Sequence, residues 1–301
     1  MIHLTRILFP TDGSPCAERA RRHAAHLAQR FDAELHVIRV EERDAELSDV
    51  IEVCSDDVLA DLHAPMERTA VAEPQMHERR VVHRSAAEGI LSYATEHDVD
   101  LIVLGTHGRR GVRRLLLGSV AEEVVRRSSC PVLTVGRGDG SPGALEGRSL
   151  LVPVDFSDAQ ASLLGHAREI ALSYGLSLTL LHVVERQIPP DVYGLQFDLP
   201  STKMLAERAR EALATPAAAL RDEGLDVTIE VGTGNVADTI VNAAEEAGVL
   251  AIATHGRTGL ERMFMGSVAE TVVRQAQCPV FTVKSFGKSL VRTRVDHEED
   301  R

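Results

Sequence analysis

Two stretches of this chain have the residue types and spacing of a phosphate cradle: Gly105-Thr106-His107-Gly108 with Gly118-Ser119, and Ala253-Thr254-His255-Gly256 with Gly266-Ser267. Each has a small residue, two residues, a glycine, nine residues and then Gly-Ser, and each follows a short apolar run, 101–104 or 249–252. This layout predicts a strand, a glycine-rich loop and the start of a helix. Glycines let the backbone turn sharply, and the first turn of the helix then aims free N–H groups and partial positive charge at one place. The chemistry on offer is anion binding. Arg109, Arg110, Arg113 and Arg114 add positive charge to the first loop, and charge beside such a cradle favours Arg109 as a contact.

A second pair of matched residues stands earlier in each copy. Pro10-Thr11-Asp12-Gly13-Ser14 answers Pro153-Val154-Asp155-Phe156-Ser157, each at the end of an apolar run. Ser14 before Pro15 reads as a helix cap with proline at the first helical position, and Ser157 with Gln160 has capping-box spacing. With a serine on hand for each cap, Asp12 and Asp155 are expected to sit free at a strand's carboxyl end and to contact a ligand, beyond the turn-forming role common for aspartate.

The elements that would hold these residues repeat as well. Gly108 and Gly256, Gly118 and Gly266, and Cys130-Pro131-Val132 and Cys278-Pro279-Val280 share one offset, as a tandem duplication requires. Apolar runs predict strands at 6–9, 34–40, 79–83, 101–104 and 132–135, and again at 150–152, 177–184, 226–231, 249–252 and 280–283. Helical patterns fall at 14–31, 58–72, 86–96 and 119–127, then at 157–174, 203–220, 236–247 and 267–275, with Pro216 expected to bend its helix. Residues 41–57 and 185–202 read as connections without regular structure. The alternation predicts an α/β protein with doubly wound parallel sheets. Domains are expected at 1–137 and 148–287, with a linker at 138–147 and a polar, frayed tail at 288–301.

Composition narrows the function. Among 301 residues, 33 basic against 45 acidic side chains give a net charge of −12, which argues against nucleic acid as partner. No apolar run reaches membrane-spanning length. The four cysteines form no CxxC pair, and no export signal is evident, so the expected location is the cytoplasm. Cys130 and Cys278 read as small thiols rather than nucleophiles. His23 and His26 share a helical face, read as solvated, and no metal site is expected. Gly287-Lys288-Ser289 lacks the upstream glycine of a phosphate loop.

The glycine frame resembles the nucleotide signature of the universal stress protein family, in its tandem two-domain form. The resemblance implies two flavodoxin-like or Rossmann-like domains, each a five-stranded parallel sheet of order 3-2-1-4-5, and a role in stress response. It also implies ATP, with ADP or AMP as alternatives, and Mg²⁺ held through the phosphates. Carried over by position, adenine would lie near Pro10, Thr11, Asp12 and Val40, and near Pro153, Val154, Asp155 and Val183. The phosphates would lie on Gly105, His107, Gly108, Arg109, Gly118, Ser119 and Val120, or on His255, Gly256, Arg257, Gly266, Ser267 and Val268. Ala253 departs from the signature, and its methyl group is expected to weaken the second site. The family's homodimers imply that 132–135 and 280–283, apolar as sheet edges, cover each other inside the chain, and a homodimer of the whole chain is a further option. No HxGH or SGGxD stretch and no nucleophile with its base is found, so the main reading is a binding module. A slow ATPase and a nucleotide-free structural protein are the alternatives.

Overall fold

The structure, a computed structural model, describes residues 2–43, 51–53, 75–106, 117–136, 138, 148–157, 159–185, 201–254, 265–284 and 287–291. The first half contains β1 (Arg6–Pro10), α1 (Pro15–Phe31), β2 (Glu34–Glu42), β3 (Ile51–Val53), β4 (Met76–His83), α2 (Ala86–Glu96), β5 (Leu101–Gly105), α3 (Ser119–Arg127) and β6 (Val132–Val135). The second contains β7 (Ser149–Pro153), α4 (Gln160–Tyr174), β8 (Ser177–Val184), α5 (Thr202–Asp222), β9 (Val227–Thr233), α6 (Val236–Ala243), β10 (Val249–Ala253), α7 (Ser267–Gln275) and β11 (Val280–Val283).

The eleven strands among the described residues form one sheet in the order β3-β4-β2-β1-β5-β6-β11-β10-β7-β8-β9. Neighbours within each half run parallel, except β3, which adds antiparallel to β4 at the outer edge. This strand corrects the reading of 41–57 as irregular throughout: Ile51 and Val53 flank one glutamate, enough alternation for a short edge. The helix expected at 58–72 lies outside the described residues, as do 186–200. The halves meet where β6 pairs antiparallel with β11, Phe281 opposite Leu133. Thr134 and Thr282, both buried, donate their hydroxyls across that seam to the carbonyls of Val280 (3.3 Å) and Val132 (3.0 Å).

Central strands are apolar on both faces because helices cover both. One core cluster joins Phe9, Ala24 and Leu35 to Leu178, Leu213 and Phe281; the other joins Ile38, Tyr93 and Val124 to Leu250 and Val273. Each cluster draws residues from both halves, so burial as well as strand pairing ties them together. His23 belongs to this interior at 2% exposure, and His26 stacks on Tyr174 of the other half with ring centroids 5.8 Å apart; their helical face looks into the seam, contrary to the expected solvated face.

The two copies begin their first helices differently. In α1 the Ser14 hydroxyl accepts from Ala17 N (3.2 Å), and Pro15 presets the first turn. In the second copy the expected cap fails: α4 starts at Gln160 after Ala159, with no side-chain cap, and Ser157 Oγ is buried without a partner. No proline follows Ser157, and Gln160 N bonds the Ser157 carbonyl (3.1 Å), a turn that postpones the helix.

The chain past β11 also differs from its expectation. Residues 287–291 dock rather than fray. Gly287 has φ +90°, and a Cβ there would collide with the carbonyl oxygen of Ser129. Lys288 donates its N–H to Ser129 O (2.7 Å), and its ammonium reaches Asp98 O (2.7 Å) and Asp100 Oδ1 (2.6 Å). Leu290 is buried, with its N–H 3.1 Å from His166 Nε2 and its carbonyl accepting from His3 N (2.8 Å). The polar composition of the terminus hid one apolar residue in a fixed place.

Candidate functional site

In each half the connections from the first and fourth parallel strands diverge, so a crevice opens at their carboxyl ends, between β1 and β5 or between β7 and β10. In the first half, Pro10 ends β1, and Thr11, 8% exposed, donates its N–H to Ile38 O (2.8 Å). Gly13 turns the chain at φ +73°. Asp12 is not free, since its Oδ1 accepts from Ser14 N at 2.9 Å. Asp155 does the same for Ser157 N at 3.0 Å. The turn-forming role common for aspartate is thus present in both copies, and neither carboxylate sits free as expected.

Opposite these residues stand α3 and α7. Gly118 caps α3 with φ −63° and ψ 141°, Gly266 caps α7 with φ −63° and ψ 144°, and neither helix has a side-chain cap. Both glycines spend their own N–H on a carbonyl, Thr106 O (2.7 Å) and Thr254 O (2.8 Å). The first-turn N–H groups of Ser119 and Val120, and of Ser267 and Val268, have no acceptor within their own helix and point out of its end. Helix-end charge therefore faces an aspartate-bearing turn across each crevice. Residues 107–109 and 255–257, which carry His107, Gly108, Arg109, His255, Gly256 and Arg257, lie outside the described residues.

The second crevice is a cleft of about 760 Å³ lined by Pro153, Val154, Asp155, Val183, Ala253, Gly266, Ser267 and Val268. The sequence missed several of its residues, among them Phe156, His182, Glu185 and Arg208. Phe156 holds φ +59°, a strained conformation for an aromatic residue, at the position Gly13 fills in the first copy. Its ring lies 4.7 Å from that of His182, whose Nδ1–H donates to Val154 O (2.7 Å). Both line the cleft. Val40, the counterpart of Val183, packs beside α2, where a Cβ at Gly89 would stand 2.9 Å from its Cγ1.

Ala253 takes a different meaning here. A Cβ at Gly105 would meet backbone atoms of α1, Cys16 C at 2.9 Å and Cys16 O at 3.0 Å. Glycine at 105 makes room for the first turn of α1. Because α4 starts later, the equivalent turn is missing from the second half, and Ala253 fits. Gly105→Ala is therefore expected to cost about 1–3 kcal/mol by overpacking, and Ala253→Gly less than about 1 kcal/mol. Urea denaturation of both variants checks this.

The Universal stress protein family model matches residues 3–136 and again 147–284. The chain belongs to the universal stress protein family. Among its relatives, universal stress protein MJ0531 of Methanocaldococcus jannaschii is 36% identical over 141 residues, 43% of this chain and 81% of the relative. Universal stress protein Rv1996 of Mycobacterium tuberculosis is 24% identical over 302 aligned residues, 92% of this chain and 94% of the relative. A putative universal stress protein from Pseudomonas aeruginosa shares the fold with TM-score 0.65 at 20% identity, over 93% of each chain. The family's tandem form thus accounts for both halves. Cys130 and Cys278 lie at the start of β6 and β11; burial pushes the Cys130 thiol up and carries Cys278 to about 11, so neither is an ionised nucleophile at neutral pH.

Proposed function

We propose that each half binds one adenine nucleotide, and that the protein is a cytoplasmic stress-response module whose state depends on the nucleotide held. ATP, ADP or AMP would place its base near Pro10–Asp12 or Pro153–Asp155 and its phosphates over Ser119–Val120 or Ser267–Val268, with Mg²⁺ bound through the phosphates. The supporting observation is the pair of helix ends capped by glycine. A side-chain cap would close those N–H groups, and both copies leave the position open to an anion. In the second cleft the Phe156 ring offers a face for the base. The described carboxylates of the second cleft are Asp155, already engaged in a turn, and Glu185 at its rim; with Asp155 held in that turn, the site suits binding better than hydrolysis.

Acid release from freshly purified protein, followed by identification and counting, tests this reading. The expected result is adenine nucleotide, up to two per chain after saturation. No nucleotide, and no uptake on addition, would leave the crevices as turns in a structural protein. The seam has its own expected outcome: after cleavage of the 138–147 linker, the halves co-elute as one species, because β6 and β11 would otherwise be bare edges. Two stable monomers in size-exclusion chromatography would contradict it.

A further inference from the structure

At the opposite, amino-terminal end of the first half's strands lies a cluster that the sequence kept apart. Glu34 and His36 are two residues apart on β2 and share a face, and His77 on β4 stands beside His36 in parallel register. One ligand atom from each of the three lies within 4.8 Å of the others. His36 is 6% exposed. Its Nδ1 is 2.9 Å from the Tyr93 hydroxyl, while its Nε2 is buried with no hydrogen-bond partner, the nearest carboxylate oxygen being Glu34 Oε2 at 3.5 Å.

The second copy serves as an internal control. Strand register puts Ser177, Thr179 and Thr228 at the places of Glu34, His36 and His77. Counting from the helix caps Ser85 and Asn235, Ala243 takes the place of Tyr93. The same fold does without all four residues together, so packing does not demand them.

We propose that Glu34, His36 and His77 form a binding site for a divalent transition-metal ion of the Zn²⁺ class, with Tyr93 as the positioning residue for His36. Two imidazoles and a carboxylate suit such an ion better than Mg²⁺ or Ca²⁺, which prefer all-oxygen shells. If Nδ1–H donates to the Tyr93 oxygen, Nε2 keeps its lone pair for the metal, the arrangement usual for a metal-bound histidine. Ligand bonds of about 2.0–2.2 Å require the three groups to draw together. Glu34 and His77 are half-buried and can turn, and among the described residues the one cation within 4 Å of Glu34 Oε2, Arg6 Nε, is a loose 3.8 Å away. The fourth position falls to water or to His97, whose ring centroid is 5.7 Å from that of His36.

Titration of the untagged full chain with Co²⁺, then displacement by Zn²⁺, tests the proposal. The expected result is one ion per chain with Kd below about 1 µM and a Co²⁺ ligand-field band. The variant His36→Thr/His77→Thr carries the second copy's own residues and is expected to bind at least 100-fold more weakly. Its fold is checked by circular dichroism. Glu34→Ser, at a half-exposed side chain, gives an independent loss of binding. Tyr93→Phe is expected to weaken binding by about 10–100-fold and shift the band, as loss of a group that orients a ligand does. Unchanged stoichiometry and affinity in the double variant, or wild-type binding weaker than about 100 µM, would overturn the site.

Discussion

Gly118→Asp is expected to stabilise the fold slightly while abolishing nucleotide binding in the first half. Gly118 has the backbone angles of an ordinary cap, which any L-residue adopts without strain, and aspartate is among the best caps because its carboxylate accepts from the first-turn N–H groups. Capping together with the helix dipole is worth about 0.5–1 kcal/mol. The same carboxylate then sits where a phosphate must sit. Two like charges about 4 Å apart near a protein surface repel by roughly 4 kcal/mol, more than a hundredfold in affinity before steric exclusion is counted. Gly266→Asp is the matching variant, since a Cβ there meets nothing closer than Thr254 O at 3.4 Å. Calorimetric titration of both separates the two sites. We expect the first site to be tighter, because its loop sequence carries Arg109 and Arg110 after Gly108 where the second loop carries Arg257 alone after Gly256, an advantage that Arg208 on the second cleft's lining offsets only in part. One charge-assisted hydrogen bond more or less is worth about 1.5–3 kcal/mol, tenfold to over a hundredfold. Gly118→Asp should thus leave only the weaker binding, and Gly266→Asp the tighter. Undiminished first-half affinity would mean that the phosphates lie elsewhere, and equal residual affinities would remove the asymmetry.

Asp100→Ala should give the largest loss of stability. Its carboxylate, 3% exposed, accepts from Thr5 N (2.7 Å), Thr5 Oγ1 (2.7 Å) and Arg6 N (2.8 Å) and pairs with Lys288. Truncation strands these donors at the entry to β1 and removes one of the two aspartates that hold the Lys288 ammonium, the other being Asp98. Each buried donor left without an acceptor costs about 1–3 kcal/mol, so the loss over these three is expected to be about 3–5 kcal/mol. Desolvation alone would raise the Asp100 pKa, but hydrogen bonds from Lys288, Thr5 and Arg6 outweigh it and hold the pKa below its ordinary value. The sign follows: this stabilisation is fully present above the unfolded carboxylate's pKa and is lost as pH falls through the lowered folded value. Urea midpoints of wild type and Asp100→Ala should therefore differ widely at pH 7 and converge in acid well below pH 4. A constant difference across that range would assign the loss to packing.

The sequence showed most of the frame because its signals are local. Ser14-Pro15 starts α1, glycines precede α3 and α7, and continuous apolar runs mark strands covered on both faces. What it hid depends on distance. Glu34 and His77 meet only because β2 and β4 are neighbours, and Asp100 finds Lys288 only because the chain returns to the first half. The delayed start of α4 was illegible for a subtler reason: Ser157 and Gln160 have correct cap spacing, but a left-handed Phe156 and the turn after it take precedence. Ala253 looked like a defect in an anion loop because the glycine it replaces serves the packing of a different helix.

The antiparallel seam also sets an order of events during synthesis. Val132–Val135 leaves the ribosome as an apolar strand whose outer neighbour, Val280–Val283, lies about 150 residues later in translation. At about 5–20 residues per second, roughly 7–30 seconds pass before that neighbour exists. During this interval a nascent first half offers its open edge to any other unfinished copy on the same message. The tandem gene does not remove the danger that separate subunits face in finding each other; it shortens the wait and fixes the partner's arrival to the rate of elongation.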